Sequence, residues 1–160
     1  MSCGLILVAS LFLSDPTVVA APDTIAAPVA IEAPHSVASE PLFADLVERS
    51  GHLKSMVEAW MTSGEAHQSG FFTGSLYGDF KRQVGDLAAR DMQGHENLKA
   101  RNLDGDLKCI LRGISEDLPK RLLALEGAAN EADRKQALEE LAYLLNDNVE
   151  VITAPPIPAV

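Results

Sequence analysis

Cysteine is scarce in this chain: two residues in 160, Cys3 and Cys109. That excludes a disulfide framework and a four-cysteine zinc site. Aromatic residues make up only 5% of the chain, against 47% hydrophobic overall, so aliphatic burial must carry the fold. Basic residues are also short, 13 Lys+Arg against 23 Asp+Glu, for a net charge of −10 and a pI near 4.7. Sequence-independent binding to DNA or RNA needs a clustered basic surface to neutralise phosphates, so nucleic acid is excluded as a partner class.

Long hydrophobic runs are missing as well. Gly4 to Leu13 reads GLILVASLFL, ten apolar or small residues, well below the roughly 20 that span a bilayer as a helix. That length suits the core of a signal peptide. Val18 and Ala20 supply the small residues of a cleavage site, so a signal peptide is expected over 1–20, cut after Ala20 or one residue later. The departure is at the start, where Met1-Ser2-Cys3 carries no positive charge. Cys3 precedes the apolar run, so a lipoprotein arrangement does not follow. The expected location is periplasmic or secreted, with no stable membrane span after signal cleavage.

Catalytic signatures are absent. The chain has no H-E-x-x-H, no Cys-x-x-Cys, no G-x-S-x-G elbow and no glycine loop after a strand, and no Glu-x-x-His pair of the di-iron bundles stands within 42–153. His95-Glu96-Asn97-Leu98-Lys99 does not have the His-x-Leu-Lys-Gly spacing of phosphotransfer helices. No constellation pairs a nucleophile with a base, so the sequence points to a non-enzymatic protein.

Proline is abundant only at the ends. From Ala21 to Pro41 the chain is Ala/Pro-rich, with acids and no Lys or Arg, and reads as an extended, disordered linker over 21–41. Ala154-Pro155-Pro156-Ile157-Pro158 stops the last helix and begins a tail over 154–160. Between them, over 42–153, stands a single proline, Pro119, which marks the folded domain. Four of the 23 acids and none of the 13 bases precede Leu42, which leaves the domain itself at −6.

Within 42–153 the apolar residues recur every three to four positions, the period of a helix with one buried face. The first stripe runs Leu42, Leu46, Arg49/Ser50, Leu53, Val57 and Trp60, with Ser39 as the expected cap and Ser63-Gly64 as the stop. Leu76, Phe80, Val84 and Leu87 form the second, weakened by Gly74, Gly78, Gly85 and Gly94 unless close helix approach compensates. The third, Leu107, Ile110, Leu111, Ile114, Leu118, Leu122 and Leu125, is opened by Asp104 or Asp106 and closed by Gly127. Pro119 inside it predicts a kink or break near Ser115 to Leu118. The last begins at Asn130 and presents Leu138, Leu141, Leu145, Val149 and Ile152. No run alternates like a strand. The expected architecture is all-α, an antiparallel four-helix bundle in up-down-up-down order, with Phe43, Trp60, Phe71, Phe72, Tyr77, Phe80 and Tyr143 in the packing.

Two features can carry function. Cys109 lies about 200° around its helix from Leu107, opposite the core stripe and beside Arg112, at about 100° per residue. As the one cysteine left after signal removal, it is a candidate for an intermolecular disulfide. His52 and Met56 stand one turn apart, and Met92 and His95 lie on the second helix with Asp91 and Glu96. Thioether plus imidazole suits copper, and imidazole plus carboxylate suits zinc. The leading expectation is an exported interaction module that binds a protein partner or forms a homodimer. The alternative is a periplasmic carrier or sensor of a small ligand or metal, copper or zinc, at His52, Met56, Met92 and His95.

Overall fold

A computed structural model describes residues 36–103 and 105–154. The expected signal peptide, most of the Ala/Pro arm, Asp104 and all of the Pro-rich tail after Ala154 lie outside the described residues. Those described form four helices, α1 (Pro41–Ser63), α2 (Ser75–Ala100), α3 (Gly105–Glu126) and α4 (Glu131–Thr153), with no strand among them. Two single 3-10 turns, Glu65–His67 and Phe71–Thr73, fill the connection between α1 and α2. The principal pairings are α2 with α3 and α1 with α4, and contacts of α3 with α4 and α1 with α2 complete the bundle. No described helix is long and apolar enough to cross a membrane.

The helix ends follow from local chemistry. Pro41 occupies the first turn of α1, where its missing N–H costs nothing. A residue before proline is held extended, so the N-cap is Glu40 (φ −72°, ψ 140°) and not Ser39 as expected. Glu40 caps nothing with its side chain; its two oxygens instead take Nη1 and Nη2 of Arg101 at 2.6 and 2.9 Å, tying the start of α1 to the end of α2. Gly64, at φ 70°, ends α1 in the left-handed region and donates its N–H to the Trp60 carbonyl. At α4 the expected cap is present: Asn130 Oδ1 accepts from the Asp133 N–H at 2.9 Å. Asp106 falls inside the first turn of α3 and is not its cap.

α3 runs unbroken from Gly105 to Glu126 with Pro119 inside it, so the expected break near Ser115 to Leu118 does not occur. Removing one backbone hydrogen bond is outweighed here by the burial of Ile114, Leu118 and Leu122 on either side.

The buried stripes are more regular than the apolar residues alone suggest. Along one stripe each, α1 buries Phe43, Leu46, Ser50, Leu53, Val57 and Trp60, α2 buries Tyr77, Phe80, Val84, Leu87, Asp91, Gly94 and Leu98, and α4 buries Leu138, Leu141, Leu145, Asn148 and Ile152, with Ala88, His95 and Ala137 buried alongside these stripes. Each alternates steps of three and four, the spacing of helices packed knobs-into-holes. Six expected core members fall off these stripes. Leu76 is 48% and Tyr143 72% exposed, while Leu42, Phe72, Ile110 and Val149 are only partly buried. Tyr77 takes the place assigned to Leu76, and Asn148 the place assigned to Val149. Packing also starts before Leu42, since Val37, at the end of the Ala/Pro arm, is buried.

Close helix approach explains one α2 glycine. A Cβ on Gly94 would stand 3.0 Å from Leu111 Cδ1 and 3.4 Å from Leu46 Cδ1. At Gly78 and Gly85 a Cβ would meet nothing within 4 Å, and both positions are exposed. Gly78→Ala and Gly85→Ala are therefore expected to stabilise the bundle by about 0.5–1 kcal/mol each, the helix-propensity difference. Urea denaturation midpoints check this, and a loss of stability in either variant would refute it.

Candidate functional site

A three-helix polar node forms where the stripes depart from apolar chemistry. Ser50 of α1, Asp91 of α2 and Asn148 of α4 are each fully buried. Asn148 is the hub. Its Nδ2 donates to Ser50 Oγ at 3.0 Å and to Asp91 Oδ1 and Oδ2 at 3.0 and 3.1 Å. The hub bonds cross long stretches of chain, 98 residues to Ser50 and 57 to Asp91. Among the described residues no cation pairs with Asp91, and Asn148 Oδ1 makes no hydrogen bond. Burial pushes the Asp91 carboxyl up to about 7, against the opposing pull of the Asn148 hydrogen bond.

No family model, curated protein or solved structure matches this chain. Function therefore rests on the geometry itself.

The residues singled out as metal ligands are placed differently from one another. His52 is exposed and Met56 half-buried on α1, while Met92 is half-buried and His95 buried on α2. His95 Nδ1 lies 2.6 Å from the Lys108 carbonyl oxygen, which can only accept, so Nδ1 carries the hydrogen and ties α2 to α3. Its Nε2 stands 3.6 Å from Glu96 Oε1. Among the described residues no three His, Cys, Asp or Glu side chains group as a metal site. Cys109 is exposed, as the helical angle predicts.

The far end of α1 carries an aromatic cluster. Trp60 meets Phe80 edge-on with ring centroids 4.6 Å apart and Phe71 at 4.9 Å, and Tyr77 meets Phe72 edge-on at 4.9 Å and Phe71 at a tilt at 5.3 Å. The Tyr77 hydroxyl donates to Glu126 Oε1 at 3.1 Å, and Lys81 Nζ donates to the same oxygen at 2.6 Å. Burial, with the Glu126 carboxylate adding to it, holds the Tyr77 hydroxyl protonated well above the usual range. Arg134 of α4 covers this end, its guanidinium 5.2 Å over Phe72 and its Nη1 donating to the Ala66 carbonyl. These contacts lock the loop between α1 and α2 onto the bundle.

Sequence reasoning placed Asp91 only in a metal cluster, Ser50 only as a stripe position, and missed Asn148. A signal was present: all three continue the three-and-four spacing of their own helix, where a polar residue marks a buried polar partner.

Proposed function

We propose that this protein is an exported, periplasmic or secreted, non-enzymatic bundle that binds a protein partner or a second copy of itself through an outward helix face. The observation that carries this reading is the outer surface of α3. Cys109 is exposed there and Leu123 is 65% exposed, both opposite the buried stripe, and α4 adds Tyr143 at 72%. Exposed large apolar side chains and a free thiol on rigid helices suit contact with another surface. The bundle runs up-down-up-down in this reading, supported by the Glu40 to Arg101, Tyr77 to Glu126 and Arg134 to Ala66 contacts, each joining the end of one helix or its loop to the start of another. A bend of α3 at Pro119 belongs to the same reading.

The test is oligomeric state under oxidising conditions. Wild-type protein is expected to show a dimer on non-reducing electrophoresis that dithiothreitol and Cys109→Ser both abolish. Monomer alone, with and without reductant, would sink the disulfide dimer and leave the heterologous partner. The competing reading, copper or zinc carriage at His52, Met56, Met92 and His95, has less support, because among the described residues no three His, Cys, Asp or Glu side chains group as a metal site.

A further inference from the structure

The hydrogen-bond inventory of the node is one proton short. An ionised Asp91 offers four lone-pair sites and receives one amide donor, which its two oxygens share. Asn148 Oδ1, in the same node, is a buried acceptor with nothing to accept. One proton on Asp91 repairs both defects. The acid O–H then donates to Asn148 Oδ1 while one Asn148 N–H donates to the other Asp91 oxygen, a cyclic acid-amide pair reached by a small amide rotation. The second Asn148 N–H stays on Ser50 Oγ. In the neutral state every polar atom of the acid-amide pair is matched, whereas the ionised state leaves a buried charge with a shared donor and an orphan acceptor.

We propose that Ser50, Asp91 and Asn148 form a proton-linked latch: with Asp91 neutral it holds α1, α2 and α4 together, and ionisation of Asp91 loosens that seam. Among the described residues, the groups around Asp91 do not supply a counter-charge. From α1 comes the neutral Ser50, while Arg49 and Asp45 pair with each other outside at 2.9 Å. On α2, Arg90 is turned to Asp45 at 3.0 Å and His95 to the Lys108 carbonyl. α4 provides Asn148, with Asp147 half-buried beside it, and the buried side chains of α3 are all apolar.

The sign of the effect follows from linkage. The closed acid titrates near 7 and an exposed aspartate near 3.8. An opened latch therefore binds fewer protons between these values, and its opening equilibrium rises about tenfold per pH unit across that window before levelling off. This goes beyond the interaction-module reading and stands without it.

Hydrogen exchange on the full chain between pH 5 and 8, corrected for the intrinsic pH dependence of exchange, tests the latch. Opening at amides around Ser50, Asp91 and Asn148 is expected to rise about 50-fold from pH 5 to 7 and by no more than about twofold further to pH 8. Amides around Trp60 and Phe80 should stay level, and Asp91→Asn should abolish the rise. A flat wild-type profile, the same rise in Asp91→Asn, or a uniform rise over all helices would each overturn the proposal. Should Asp91→Asn fail to fold, the carboxyl carbon resonance of Asp91 in wild-type protein decides: a midpoint near 7 supports the latch and one below 5 refutes it.

Discussion

Phe80→Ala is expected to cost the bundle about 3–5 kcal/mol, the usual range for emptying a fully buried aromatic site. Phe80 is completely buried, and its ring packs edge-on against Trp60 at an interplanar angle of 70°. Its removal takes away apolar burial and an aromatic pair worth about 0.5–1.5 kcal/mol beyond area. The rigid Trp60 indole and the Arg134-covered loop leave little room for collapse, so a cavity remains. A domain of this size holds roughly 5–15 kcal/mol in total, so the variant should lie close to unfolding at body temperature. Guanidinium denaturation checks it, with Tyr143→Ala as control. That side chain is 72% exposed and should change stability by no more than about 0.5 kcal/mol. A Phe80→Ala loss below about 1 kcal/mol would mean that the aromatic end is not packed as described.

Asn148→Asp should produce the second large effect, and one that depends on pH. The substitution puts a second carboxyl within hydrogen-bonding distance of Asp91, where the Asn148 amide now stands at 3.0 Å. Two carboxylates cannot both ionise in one buried site, so the pair holds one proton well above the usual carboxylate range. The unfolded groups titrate near 3.9. Stability is therefore fully present below about pH 4 and lost as pH rises through the raised folded value. Near pH 4 the variant should approach wild type, because two neutral acids can pair. At pH 8 it should be weaker by about 3–5 kcal/mol, the range for a buried charge deprived of its partner. Urea denaturation at both pH values measures this. Equal losses at pH 4 and pH 8 would show that the effect is packing alone.

Both predictions concern positions on the same repeating stripes, and the two were not equally legible. Phe80 is apolar and recurs with Val84 and Leu87, so hydrophobic period alone assigns it to the core. Asn148 is polar and sits beside the apolar Val149, so a reading that counts only apolar residues chooses the wrong neighbour. Counting aliphatic residues likewise put Leu76 on the second stripe, whereas Tyr77, already expected in the packing, holds that stripe position. Ser39 failed as a cap for a different reason: the proline at 41 had already dictated that residue 40 be extended, and that constraint outranks the capping preference of serine.

The sequence by itself determined the helical class, the four segments and most of their ends, because period, proline, glycine and a capping asparagine act over a few residues of chain. It also determined that Cys109 faces outward, since helical geometry fixes the angle between neighbours. Only the tertiary structure decided that Ser50, Asp91 and Asn148 meet, because a polar residue on a buried stripe acquires its meaning from partners far along the chain. The continuity of α3 through Pro119 was likewise settled by packing, where burial on both sides of the proline outweighs the lost hydrogen bond.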